Sequence, residues 1–256
     1  MTKRQSLFGV ELDALTMDET VTRCLDAVRD GEQLEIGVVN AAKLVNMRRD
    51  PRLAQAVTGC DLVLADGQAV VWASRVLRAP LPERVAGIDL FMRLLAEAES
   101  AGMSVYFLGA KEVVLEQMLR RVADRFPGLK VAGSRNGYFD DSEQENVAGA
   151  IADSGAQMLF LGMTSPKKEI FTAGYGERTG TRVVHGVGGS FDILAGVTRR
   201  APESWQRMGA EWLYRALQEP RRLGRRYLTT NAAFLLMTAR ELIRLTPSTG
   251  PANRRH

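Results

Sequence analysis

Six short apolar runs constrain this chain more than any other feature: "LEIGVVN", "DLVLAD", "SVYFLG", "LKVAGS", "AQMLFLGM" and "TRVVHGVGG". Each is followed by a glycine or a polar turn and then by a segment with helical spacing. In "KEVVLEQMLRRVADRF", steps of three and four residues run through Val113, Val114, Gln117, Met118, Arg121 and Val122. This alternation predicts β-α-β units, hence an α/β fold with a Rossmann-like parallel sheet and helices on both faces. The runs are continuously apolar because strands of such sheets are buried on both sides. The pattern stops near residue 196. Residues 1–195 read as a Rossmann-like domain and 196–256 as an arginine-rich helical appendage. In the appendage, short helices are punctuated by Pro202, Gly209, Pro220 and Gly224, and a longer helix begins near Thr230.

The net charge of +4 hides an uneven distribution. From Gly196 onward, twelve arginines and no lysine face four glutamates, a balance of +8 that leaves −4 for residues 1–195. A basic tail on an acidic body attracts polyanions, whether nucleic acid, an anionic membrane surface or substrate phosphates. Arginine in place of lysine favours bidentate phosphate recognition, and Arg215, Arg221, Arg222, Arg225 and Arg226 crowd into twelve residues. Trp205, Met208, Trp212, Leu213 and Leu217 recur at near-helical steps and are expected to dock the tail on the body. The start, "MTKRQSLFGVELDAL", turns polar before an apolar secretion core forms, and no stretch approaches the roughly 18 apolar residues of a membrane span. A cytoplasmic, peripherally membrane-associated protein is the expectation. Cys24 and Cys60 are too few for a disulfide framework and are expected to be buried free thiols.

Parallel sheets bind ligands outside the carboxyl ends of their strands. Asp66, ending "LVLAD", lies there, as do Asn40 after "IGVV" and Gly109 after "VYFL". A carboxylate in that position can be a general base, a metal ligand or a helix cap. "LPERVAGIDL" adds Arg84 and Asp89 around a glycine at the start of another helix. "GMTSPKKE", with Lys168 and Glu169, and "HGVGGSFD", with Gly188, Gly189 and Asp192, complete a set of turns suited to a phosphate-bearing ligand. "FDDSE" is better read as a capped solvated loop than as a metal clamp, and no Ser/His/Asp arrangement is evident. Two other classes stay open: a nicotinamide-dependent oxidoreductase, whose full glycine fingerprint is missing, and a nucleic-acid-binding protein using the tail.

The stretches "NAAKLVNMRRDPRLAQAVTGCDLVLADG", "LPERVAGIDL", "FPGLKVAGSRNGYF", "LGMTSPKKE", "GVGGSFDILAG" and "RAPESWQRMGAEWLYRALQEPRR" resemble the WecG/TagA/CpsF glycosyltransferases, family 26. The resemblance implies an inverting, membrane-associated enzyme that moves a hexose or N-acetylhexosamine from a UDP-sugar to a polyprenyl-diphosphate-linked sugar. It implies no cofactor beyond that donor, no metal and no nucleic acid, and it is compatible with a homo-oligomer. Asp66 matches the proposed base, Asn40 a polar active-site residue and Arg84 a residue near donor or acceptor diphosphate. Gly109, Lys168, Glu169, Gly188, Gly189 and Asp192 fall on the donor side. Arg215, Arg222 and Arg225 match arginines that close over the acceptor diphosphate at the membrane. Val38 stands where the family often has threonine, and Lys168 where it has glutamine. "SPKKE" looks closer to a GumM-like, xanthan-type glucosyltransferase subgroup than to the N-acetylmannosaminyl transferases.

Overall fold

The structure, a computed structural model, describes residues 3–218, 220 and 224–245, without the side chains of Arg225 and Arg226. Its centre is a six-stranded sheet in which every neighbouring pair is parallel. The strands are β3 (Leu34–Val39), β4 (Leu62–Ala65), β5 (Ser104–Gly109), β6 (Lys130–Arg135), β7 (Met158–Gly162) and β8 (Val183–Gly186), in the order β4-β3-β8-β7-β5-β6. These are the six apolar runs, as the alternation predicts.

Helices cover both faces. On one side α1 (Met17–Asp30), α5 (Gly87–Ala101) and α6 (Glu112–Arg125) pack against Ile36, Val38, Leu62, Leu64, Phe107 and Phe160. On the other, α2 (Ala41–Met47), α3 (Pro51–Thr58) and α4 (Gln68–Val76) meet Val39, Val63 and Ala65, while α7 (Gln144–Asp153) and α8 (Lys167–Tyr175) meet Leu108, Leu159 and Leu161. Successive strand residues thus enter opposite cores. In α5 the buried Leu90, Phe91, Leu94, Leu95 and Ala98 form one stripe, and the helix stops at Gly102, whose φ of 64° is left-handed. The stripe of α6 differs from the spacing read in the sequence. Leu115, Met118 and Val122 are buried, whereas Val113 and Arg121 face solvent.

An N-terminal hairpin of β1 (Arg4–Leu7) and β2 (Val10–Asp13) guards the open edge of β4. Buried Asp13 accepts the Val63 N–H at 2.8 Å, and Arg4 donates to the Asp61 carbonyl. An edge strand whose amides are taken in this way is a poor template for pairing with another chain.

Beyond β8 come α9 (Ser190–Leu194), α10 (Glu203–Arg207), α11 (Glu211–Gln218) and α12 (Arg225–Leu245), the last beginning five residues ahead of the expected Thr230. α12 lies along α2 and buries Phe234 and Met237 in the cluster around Phe8 and Leu44. The Phe8 and Phe234 rings meet edge-on, with centroids 5.3 Å apart. The apolar stripe before it does not dock as expected. Met208 and Leu217 are 61% and 64% exposed, and Trp212 and Leu213 are also exposed; Trp205 packs edge-on against Tyr214. One reason is that α11 is held to the body through a polar contact of Glu211, which leaves its apolar face outward. Cys24 and Cys60 are buried free thiols, and burial pushes both up to about 12, out of reach of ordinary thiolate chemistry.

Candidate active site

All six strands deliver their carboxyl ends to one edge of the sheet, and the polar side chains gather there. Asn40 leaves β3 and caps α2, its Oδ1 accepting the Lys43 N–H at 3.0 Å. Asp66 leaves β4 next to it, its own N–H bonded to the Val39 carbonyl at 2.8 Å. Gly67 keeps the two turns in contact, since a Cβ there would stand 3.0 Å from the Asn40 Cβ.

The half-buried Asp66 carboxylate accepts, through Oδ1, the N–H of Gly87 at 3.0 Å, the first residue of α5. It therefore holds a helix terminus, the bland role foreseen for it, with one oxygen. Oδ2 makes no hydrogen bond among the described residues. A carboxylate fixed at one oxygen and open at the other is oriented for proton transfer.

Arg84 lies beside this group because the Val85 N–H bonds the Ala65 carbonyl. Its guanidinium meets Glu211 of α11 at 3.0 Å and Asp89 at 3.8 Å. Asp89 in turn takes both ends of Arg200 at 2.6 and 2.7 Å. Burial works against the Arg200 charge. Asp89, then Glu211 and Asp66, outweigh it and push its pKa up. Arg200 and Glu211 thus join the site without having been singled out in the sequence. "TRRAPE" and "GAEW" carry no spacing that would reveal two partners more than a hundred residues away.

Beneath the β3 and β7 ends lies a buried ion triad. Lys43 of α2 and Lys168 of α8 both reach Glu169 Oε1, at 2.7 and 2.6 Å, and Glu169 Oε2 is buried with no hydrogen-bond partner among the described residues. Burial would push the Glu169 carboxyl up, but the two ammonium groups prevail and hold it down to about 2. Lys168 is lowered as well, to about 8, through burial and the adjacent Lys43 charge. The expected donor residues Lys168 and Glu169 are therefore bound chiefly to each other.

The remaining donor-side residues spread along the edge. Gly109 ends β5, where a Cβ would fall 2.4 Å from the Gly162 carbonyl carbon, so no other residue fits. Gly188 and Gly189 form the β8–α9 turn, with the Gly188 N–H bonded to the Leu161 carbonyl, and Asp192 lies in the first turn of α9. Three strands separate β4 from β5, which at the usual strand spacing puts Gly109 about 19 Å from Asp66. The two ends suit the two ends of an elongated ligand. Beyond Gly109 a cavity of about 310 Å³ is lined by Tyr138, Phe139, Asp140, Glu143 and Lys167, and its Tyr138 is 68% exposed. The "FDDSE" loop is capped as expected, the Glu143 carboxylate accepting the Asp140 N–H. Of the acceptor arginines, Arg215 is half-buried on α11, Arg225 opens α12, and Arg222 lies outside the described residues. Among the described residues, no group of three or more His, Cys, Asp or Glu could hold a metal ion, and no helix is long and apolar enough to cross a membrane.

A model of the glycosyl transferase WecG/TagA/CpsF family matches residues 5–248. The chain is also 38% identical, over 174 residues, to an N-acetylglucosaminyldiphosphoundecaprenol N-acetyl-beta-D-mannosaminyltransferase of Bacillus spizizenii, a match covering 68% of this chain and 67% of that protein. A parallel sheet with an oriented carboxylate at its ligand-binding edge is consistent with both likenesses. The chain belongs to the WecG/TagA/CpsF family of glycosyl transferases.

Proposed function

We propose that the protein moves a hexose or N-acetylhexosamine from a UDP-sugar to a polyprenyl-diphosphate-linked sugar, with inversion, in the synthesis of a cell-surface polysaccharide. The observation that carries the reading is Asp66: one oxygen tied to Gly87, the other without a hydrogen bond among the described residues, at the sheet edge beside Asn40 and Arg84. Asp66 takes the proton of the acceptor hydroxyl as that oxygen attacks the anomeric carbon from the side opposite UDP. The C1–O bond to the diphosphate breaks with its electron pair going to UDP. Arginines and the helix N-termini at the sheet edge supply preorganised positive potential for that leaving group. Gly109, the Gly188–Gly189 turn and Asp192 in the first turn of α9 lie on the donor side, and Tyr138 offers the uracil a ring to stack on.

The test is a panel of UDP-sugars assayed for transfer onto a short polyprenyl-diphosphate glycoside. UDP-N-acetylmannosamine comes first because of the Bacillus spizizenii relative, and UDP-glucose second because of "SPKKE". Transfer from one of them with an inverted anomeric centre supports the reading; NAD protecting against thermal unfolding where UDP does not would overturn it.

The acceptor brings a lipid, and the outward faces of α10 and α11 suit one. Met208, Trp212, Leu213 and Leu217 are exposed in a segment that also carries Arg207 and Arg215. Apolar side chains enter the head-group region, while basic ones contribute about 1 kcal/mol each near an anionic surface. Leu213→Glu combined with Leu217→Glu is expected to abolish sedimentation with vesicles containing anionic lipid, with melting temperature unchanged. Binding by the unaltered protein should weaken as salt is raised. Full vesicle binding by the double variant would place the membrane contact elsewhere.

A further inference from the structure

His185, in the middle strand β8, is fully buried, and its ring faces α5. Nε2 lies 3.0 Å from the Gly87 carbonyl oxygen. A carbonyl only accepts, so Nε2 carries the hydrogen and donates it. Nδ1 is buried with no hydrogen-bond partner among the described residues. Burial pushes the imidazole pKa down to about 4, against the Gly87 bond, so the ring is neutral near pH 7. An interior imidazole with an unmet nitrogen carries a desolvation penalty that an apolar residue of similar shape would not. Packing alone gives no reason for a histidine here.

What the ring holds gives one. Gly87 is gripped on both sides, its N–H by Asp66 Oδ1 at 3.0 Å and its carbonyl by His185 Nε2. Because Gly87 lacks a side chain, its backbone takes no fix from side-chain packing of its own, and the His185 ring lies in ordinary contact range, 3.7 Å, of where a Cβ would stand. With the bond from the Val85 N–H to the Ala65 carbonyl, the two bonds fix how the first turn of α5 stands relative to the end of β4. That placement decides which Asp66 oxygen is occupied and where the other points.

We propose that His185 is a positioning residue for Asp66, acting through the Gly87 backbone to keep Oδ2 turned toward the acceptor hydroxyl. This inference rests on the reading of Asp66 as the base. It predicts a defect in turnover rather than in donor binding, since a displacement of about 1 Å at a reacting group can cost up to about 10²-fold.

The experiment is a double-mutant cycle on the full-length protein, with kcat and KM measured for the UDP-sugar it turns over and melting curves to confirm folding. His185→Leu removes the donor and is expected to lower kcat about 10- to 100-fold, with KM within about twofold. His185→Gln, whose amide can donate to the Gly87 carbonyl, is expected to recover most of that loss. His185→Asn, one methylene shorter, should not, and it serves in place of the leucine variant if that one fails to fold. Placed on Asp66→Asn, the same substitution is expected to lower turnover no further. Equal losses in both backgrounds, or a leucine variant with unaltered kcat, would overturn the inference and leave the Asp66 reading standing. An Asp66→Asn enzyme with full activity would instead remove the base assignment itself.

Discussion

Asp66→Asn is expected to lower turnover by about 10²- to 10⁴-fold with UDP affinity nearly unchanged. The argument starts from the Gly87 N–H, which must have an acceptor. An asparagine amide offers one oxygen, and that hydrogen bond draws it to the place of Oδ1. The NH₂ group then occupies the place of Oδ2. A site that accepted a proton becomes one that presents hydrogens, at the same position and with almost no change of volume. The first turn of α5 keeps its partner, so the fold and the donor cleft are retained, and the loss falls on the chemical step. Initial rates with saturating UDP-sugar, set beside UDP affinity by calorimetry, separate the two effects. Turnover near that of the unaltered enzyme would show that the acceptor proton goes elsewhere. A large fall in UDP affinity would show that Asp66 serves binding instead.

Five of the six strands were legible because parallel strands buried on both sides announce themselves as apolar runs, while the largely exposed edge strand β6 was marked by its place in the alternation, and the strand ends then located Asn40, Asp66 and Gly109 without any contact information. The hairpin was not legible. Its two-residue turn places both Phe8 (φ 58°) and Gly9 (φ 79°) in the left-handed region, where Asn-Gly is the usual signal. Phe8 does not look like a turn residue, and its position is favoured by a ring contact with Phe234, more than two hundred residues away. The buried stripe of α6 departs from the sequence spacing for a related reason: Leu115 and Val113 are both apolar, and only the sheet decides which of them faces it. In the site, the Asp66 bond to Gly87 and the Arg84–Asp89–Arg200 chain depend on the loop from Leu81 to Ala86 folding back over β4. Nothing local encodes that return. Nor does anything near Lys43 announce its pairing partner, which lies 126 positions further on.

Removing the negative charge from that pairing is expected to have the largest effect on stability. Glu169→Gln leaves Lys43 and Lys168, both under 9% exposed, facing each other without a counter-charge, at an expected cost of about 3–5 kcal/mol near pH 7. The unaltered triad already carries one positive charge in excess, which is part of why Lys168 sits at about 8, below its usual 10.5. The two lysines are therefore not equivalent in effect. Lys168→Met removes the excess charge, leaves Lys43–Glu169 as a one-to-one pair, and keeps an unbranched chain over Gly186; it is expected to be neutral or stabilising. The pH dependence follows from the two shifts. Glu169 is depressed in the folded state, so its contribution is present above about 4.5 and is lost as pH falls toward 2. Lys168 is also depressed, so between about 8 and 10.5 the unfolded chain holds the extra proton and stability rises with pH. In Glu169→Gln the acid loss should disappear, and the alkaline gain should begin below pH 8, because Lys168 without its carboxylate gives up its proton sooner. Urea unfolding at a series of pH values measures all three features. A glutamine variant as stable as the unaltered protein, or a Lys168→Met variant that loses several kcal/mol, would mean that the triad is not the charge-unbalanced element described here.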